Sequence, residues 1–336
     1  MGKWPMKNVR VSVWVAVAVC VLFAASPARA DYIKALQYYK QGQFDKALQE
    51  LKPDLDKSPD WEPGHRLAGF CYLNLKNNAL AISEFARAVQ LKSKEFATYR
   101  GLALAYLNSD KPDNCIQSLQ QGEQFANKPD DLYELHHVRG AAHFLQQKYD
   151  QVIDDLTAAI RIKATDWGDY YRLGVSYYNL NRYDEALQAL LKALSIKPSD
   201  SLTTGYLGKI YLKQGASALS SKQYSQALDL LAKAGTYTPN DGYVHYNTGE
   251  AYLFLNKYSE AEKAYTQALS LLSNNADVLQ RLGLVYERQK KWDQALNAYQ
   301  KAYELTSLPS LKDDITRMKD QIKSSEQTKK KKIARN

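Results

Sequence analysis

Five histidines, His65, His136, His137, His143 and His245, are the side chains of this 336-residue chain best suited to acid–base or metal chemistry near neutral pH. Around them the usual companions are missing. The sequence has no G-x-S-x-G nucleophile turn, no glycine-rich phosphate loop, no H-E-x-x-H and no C-x-x-C. Asp154 and Asp155 are adjacent, and neighbours on a helix diverge by about 100°, which makes a poor catalytic pair. The residues therefore predict no catalytic, cofactor or metal site, and the histidines must be explained by the elements that hold them.

Those elements repeat. Aligned on the small or apolar residue that follows the aromatic of "RYDEAL", the matching positions are Ala47, Ala81, Cys115, Val152, Ala186, Ala227, Ala261 and Ala295, with gaps of 34, 34, 37, 34, 41, 34 and 34 residues. Three residues before each anchor an aromatic stands in six of eight cases: Phe44, Tyr149, Tyr183, Tyr224, Tyr258 and Trp292. Twelve before lies Ala35, Gly69, Ala103, Gly140, Gly174, Gly215, Gly249 or Gly283, and seven after comes an alanine in six cases. A fixed period of this length is the signature of a solenoid built from one supersecondary unit. In the fifth repeat the apolar spacing predicts a helix over 169–179 and another over 183–195, joined by a turn at Asn181. The glycine or alanine of the first helix is expected to face the alanine of the second, letting Leu173 and Leu190 pack.

These residues resemble the tetratricopeptide repeat family, best over Trp167 to Pro198 and in weaker form across 31–308. The resemblance implies an all-α fold: a right-handed superhelical solenoid of eight antiparallel helix pairs, without enzymatic activity of its own. In this register His65, His136 and His245 fall at the fourth position of the first helix and His143 at the eleventh, where the pattern wants core aromatics. Three residues are added before the fourth repeat, expected as a loop at 127–131. Seven more precede the sixth, expected as two further turns of its first helix.

In this family ligands contact the first helices, on the concave surface. Carried onto this chain, that implies a peptide groove with Arg66, Phe70, Arg100, His137, Phe144, Tyr171, Tyr178, Tyr243 and Tyr246 as candidates. Six tyrosines at such positions, Tyr32, Tyr39, Tyr171, Tyr178, Tyr243 and Tyr246, are not demanded by packing, and tyrosine suits recognition by joining an apolar ring to a polar tip. The family's carboxylate clamp is not expected, because the ninth position holds Phe70, Leu104, Ala141, Val175 or Glu250 in place of asparagine. An asparagine ladder is not expected either, since only Asn247 supplies it.

The two ends read differently from the body. Residues 1–30 join a basic start, an apolar run from Val11 to Ala25 and a small-x-small ending at Ala28-Arg29-Ala30, the pattern of a signal peptide cleaved after Ala30. Export to a periplasm or the exterior follows, with only Cys71 and Cys115 retained, both expected to be buried and unbridged. Leu311, Ile315, Met318 and Ile322 predict an amphipathic cap helix over 309–328, entered through a capping-box-like start at Ser310. Residues 329–336, with Lys329, Lys330, Lys331 and Lys332, read as a basic disordered tail able to touch a membrane or anionic polymer. The nine basic residues of the two ends account for the net charge of +9, leaving 36 basic against 36 acidic residues between them. A neutral body argues against nucleic acid and for a protein or peptide partner.

Overall fold

The computed structural model describes residues 30–333; the predicted signal segment lies outside the described residues except for Ala30. Among the described residues there are seventeen α-helices, a single 3-10 turn and no strand. None of these helices is long and apolar enough to cross a membrane. The chain divides into two compact units, Met1–Ser109 and Asp110–Asn336. The first holds α1 (Ala30–Lys40), α2 (Phe44–Lys57), α3 (Glu62–Asn74), α4 (Asn78–Gln90) and α5 (Phe96–Leu107). The second holds α6 (Pro112–Gly122), α7 (Pro129–Leu145), α8 (Tyr149–Ile162), α9 (Trp167–Asn179), α10 (Tyr183–Ile196), α11 (Ser201–Ser220) and α12 (Tyr224–Tyr237). It continues with α13 (Gly242–Phe254), α14 (Tyr258–Leu271), α15 (Ala276–Arg288), α16 (Trp292–Thr306) and α17 (Pro309–Ile333).

Within each unit consecutive helices pair, and the first helices of successive pairs also touch: α1 with α3 and α3 with α5, then α7 with α9, α9 with α11 and α11 with α13. The first helices thus form an inner layer in each unit. The sequence places the small residue of that layer opposite an alanine; the structure corrects this. A Cβ added to Gly174 would meet Leu190 Cγ at 2.6 Å, and one added to Gly249 would meet the Tyr265 ring at 2.7 Å. The partner is the large residue four after the anchor, and Leu190 and Tyr265 are both fully buried. The glycine is the socket for that side chain, since a close-packed interior leaves no space for both.

One turn recurs in every repeat. Gly42, Lys76, Asp110, Gln147, Asn181, Lys222, Asn256 and Lys290, each five residues before its anchor, all have φ between 57° and 73°. In the fifth repeat Asn181 N–H bonds the Tyr178 carbonyl at 3.0 Å and Arg182 N–H the Tyr177 carbonyl at 2.9 Å, the doubly bonded left-handed ending of an α-helix. Glycine occupies that position only once, so lysine carries the left-handed conformation at three sites. A left-handed residue with a Cβ costs on the order of 1–2 kcal/mol. Lys290→Gly is therefore expected to stabilise the chain by about 1 kcal/mol after glycine's own entropy loss is subtracted, read as a higher urea midpoint.

Two spacing irregularities resolve differently. The seven added residues do lengthen a first helix, giving α11 its 20 residues, with Gly208 packed on Thr238 and Gly215 on Leu231. The three added residues do not make a loop at 127–131: α7 starts at Pro129, so 129–131 are its first turn, and α6 ends early in the 3-10 turn Glu123–Phe125. Proline fits a first helical position because the N–H it lacks would have no partner there. The chain's end also departs from expectation. α17 begins at Pro309, which puts Ser310 inside the helix, and runs to Ile333 through the lysines expected to be disordered. Lysine and glutamine keep their rotamer freedom in a helix, so the polar continuation opposes helix growth little. Leu311 and Met318 of α17 are buried against Ala295, Tyr299 and Ala302 of α16, as a cap requires.

Candidate functional site

The inner layer of the second unit is α7, α9, α11, α13 and α15, and each first turn is fixed by its own chemistry. Asp166, Asp200, Asp241 and Asn275 cap α9, α11, α13 and α15 by accepting a backbone N–H two or three residues on. The face so positioned carries a run of aromatic rings. Tyr178 of α9 meets Tyr206 of α11 edge-to-face at 5.2 Å and Tyr183 of α10 at 5.9 Å. Lys213 Nζ donates to the Tyr183 hydroxyl at 3.1 Å and stands 5.5 Å from the Tyr178 ring. That hydrogen bond, more than the rings, raises the Lys213 pKa above its ordinary value. Lys209 sits 5.0 Å over the Tyr206 ring. Neighbouring half-buried Phe144 lies 6.5 Å from Tyr149, and Tyr243 of α13 is 56% exposed.

The candidates do not all reach this surface. Tyr178, Phe144, Tyr243 and Tyr246 are half-buried or exposed, with Tyr246 resting on the buried Tyr265 ring at 5.8 Å. Tyr171 is only 5% exposed, stacked on Trp167 at 5.3 Å and set edge-on to Tyr206. It packs the layer and presents no free ring, which corrects its place among the groove contacts. Arg66, Phe70 and Arg100 lie in the other unit and are half-buried. Arg66 is already paired with Glu62 at 3.2 Å, and Phe70 packs edge-on to Phe85 at 4.9 Å. The repeat register does not mark Tyr206 and Lys213, because both come from α11, whose extra turns set it out of step with the other first helices.

The histidines keep their places in the first helices, and three of them, His136, His137 and His143, turn their polar edges to buried carboxylates. Asp155 of α8, whose side chain is 5% exposed, accepts from His143 Nδ1 at 2.9 Å and from Arg139 Nε at 2.8 Å, with His136 Nδ1 at 3.2 Å. Burial alone would push the Asp155 carboxyl up; hydrogen bonds from His136, His143 and Arg139 outweigh it and hold the group well below the usual carboxylate range. His136 Nδ1 also lies 3.3 Å from Arg139 Nη2, so it accepts from the arginine or donates to the aspartate, never both. Held by two or three donors of α7, Asp155 is a clamp between two helices.

His137 makes a second such contact, donating to the fully buried Asp169 of α9 at 2.7 Å, where Tyr133 also donates at 3.3 Å. His137, Asp166 and Asp169 bring three possible metal ligands within 4.8 Å. The donor set does not suit a cation. Asp166 Oδ1 caps the Asp169 N–H at 3.0 Å, and the Arg172 guanidinium already stands 3.8 Å from Asp169 Oδ1 with the positive charge an ion would bring. His65 bonds Glu84 at 2.6 Å and His245 the Pro239 carbonyl at 3.0 Å, again between neighbouring elements. Cys71 and Cys115 are free and buried, and burial pushes each thiol up to about 12, which leaves them protonated and unreactive.

Three models of the tetratricopeptide repeat match the chain, over residues 169–200, 200–274 and 246–308. Residues 169–308 are tetratricopeptide repeats. The aromatic face and its capped first helices thus belong largely to repeats five to eight. Among curated proteins, the peroxisomal targeting signal receptor of Saccharomyces cerevisiae is 36% identical over 66 residues, which is 20% of this chain and 11% of the receptor. The receptor of Kluyveromyces lactis is 27% identical over 153 residues, 45% of this chain and 27% of that protein. The chain spans between about a tenth and a quarter of the length of these relatives. Among solved structures, YrrB, described as a TPR protein with an unusual peptide-binding site, is 19% identical with a TM-score of 0.47, covering 52% of this chain and 89% of its own.

Proposed function

We propose that the protein is a non-enzymatic interaction scaffold that captures an extended peptide or a helix on the inner face of its second unit. The observation that carries this is the aromatic run Phe144, Tyr178, Tyr206 and Tyr243, which crosses four successive first helices with rings left half-buried or exposed. Rings of this kind supply large contact area at low entropic cost, while their hydroxyls and the flanking Lys209 and Lys213 supply polar contacts to a peptide backbone or acidic side chain. The repeat identity of 169–308 supports the same reading, as does the likeness to yeast peroxisomal targeting signal receptors. The proposal includes export through the segment ending at Ala30. It also includes a secondary contact of Lys329–Lys332 with an anionic lipid or polymer surface.

Photo-crosslinking from defined positions tests it. With p-benzoylphenylalanine in place of Tyr178 or Tyr243 in the full chain, adducts with partner proteins are expected from both sites. They are expected to be absent from exposed Lys192 on α10, a second helix. Adducts distributed evenly over the three positions, or formed only at Lys192, would overturn the assignment.

A further inference from the structure

The last helix does more than cover the end of the core. Asp314 and Arg317 of α17, Asp277, Arg281 and Leu284 of α15 and Tyr246 of α13 surround a cavity of about 280 Å³ on the inner face of the second unit. Its walls are the rings of Tyr246 and of Tyr299 from α16, Leu284, the Gln280 amide and the charged groups of α15 and α17. Those charges are unequal. Arg281 Nε is paired with Glu250 at 2.9 Å and its guanidinium also bonds the Tyr246 side chain, and Arg317 is held by Glu287 at 2.9 and 3.1 Å and by Asp314 at 2.6 Å. Both guanidiniums are therefore occupied. Asp277 and Asp314 line the cavity with the two arginines, and Glu250 and Glu287 stand behind them as the arginines' partners, so four carboxylates are set against two cations.

Asp277 is the carboxylate left over. It is exposed at the cavity and has no hydrogen-bond or ion-pair partner among the described residues. An incoming carboxylate would add a fifth negative charge and would have to displace Glu250, Glu287 or Asp314 from an arginine. An incoming ammonium or guanidinium group instead meets a surplus of two negative charges, with Tyr246 and Leu284 to receive its aliphatic stem. We infer that this cavity is a binding pocket for a basic side chain, lysine or arginine, of the peptide held on the inner face. The inference rests on the peptide reading for its biological partner, but the pocket's charge preference stands independently of it.

The probes are N-acetyl-arginine amide, N-acetyl-lysine amide and N-acetyl-glutamate amide, titrated against the full chain by saturation-transfer NMR. Saturable binding of the two cationic amides is expected, weakened by added salt, with none of the glutamate amide. Asp277→Asn, at an exposed site without partners, is expected to weaken binding at least tenfold. Gln280→Lys, which tethers a competing cation on the same helix face, should abolish it without breaking an existing ion pair. Equal binding of the glutamate amide, or cationic binding unchanged in both variants, overturns the pocket. Partner adducts from Tyr178 and Tyr243 without cationic binding would remove the pocket and leave the peptide reading standing. Cationic binding without such adducts would do the reverse.

Discussion

Asp155→Ala is expected to destabilise the second unit by about 3–5 kcal/mol, the range seen when one member of a buried ion pair is removed and its partners stay behind. Arg139, His136 and His143 of α7 all turn toward this one carboxylate from a helix packed on α8. Without it the guanidinium keeps its contacts with Glu123, at 3.5 Å, and His136, at 3.3 Å, but no buried carboxylate, and the imidazoles lose their acceptor in a half-buried place. Asp155→Asn retains the shape and one acceptor oxygen, so it is expected to recover part of the loss. Because repeats are coupled mainly to their neighbours, the damage should be local. Hydrogen exchange should show lost protection in α7 and α8 while α14 to α16 keep theirs.

The same carboxylate sets a pH signature. Its folded pKa lies below its unfolded value, so the stabilisation is fully present above the ordinary carboxylate value of about 3.9. As pH falls through that value the unfolded chain takes up a proton that the folded chain does not, and the advantage shrinks. Urea midpoints of wild type and Asp155→Ala are therefore expected to stand far apart at pH 7 and to draw together progressively as pH falls below about 3.9 toward the folded pKa, which lies well beneath it. A constant separation across that range would mean that packing, and not the charge, is what the substitution removes.

Much of this architecture was legible from spacing, and the reason is physical. A 34-residue unit that must bury one face against identical neighbours repeats its packing residues, so the anchors, the small sockets and the pair boundaries are written eight times. The paired helices α9 and α10 fall within two residues of the expected bounds, and Asn181 takes the turn. Charge pairs are written once. That Asp155 gathers two histidines and an arginine depends on side-chain reach across the α7–α8 seam, which no period encodes. The aromatic site was half legible: Tyr178 and Tyr243 sit where the register puts them, whereas Tyr206 comes from the inserted turns of α11. Tyr171 satisfies the same register and yet is buried, because the longer α11 brings Tyr206 over its ring. A positional rule marks which residues face inward; the neighbouring helix decides which of them meet solvent.

Met318→Ala is expected to cost about 2–5 kcal/mol, as for other fully buried methionines cut back to the first carbon. Met318 has no exposed surface and shares its cluster with Leu311, Tyr299, Ala295 and Ala302, so its loss opens a void between α16 and α17. Its neighbour Arg317 provides the contrast on one helix. That side chain is 46% exposed, and Arg317→Ala is expected to cost no more than about 1 kcal/mol, as solvent-screened pairs do. Differential scanning calorimetry of the two variants separates the roles of α17: Met318 holds the cap on the stack, while Arg317 holds Glu287 and Asp314 in place around the cavity. If Arg317→Ala matched Met318→Ala in cost, the ion pairs and not the apolar seam would be what keeps the helix docked. The cavity would then be a by-product of closing the core. If only Met318 matters for stability, the charged rim is free of that duty and stays available to a basic ligand on the inner face.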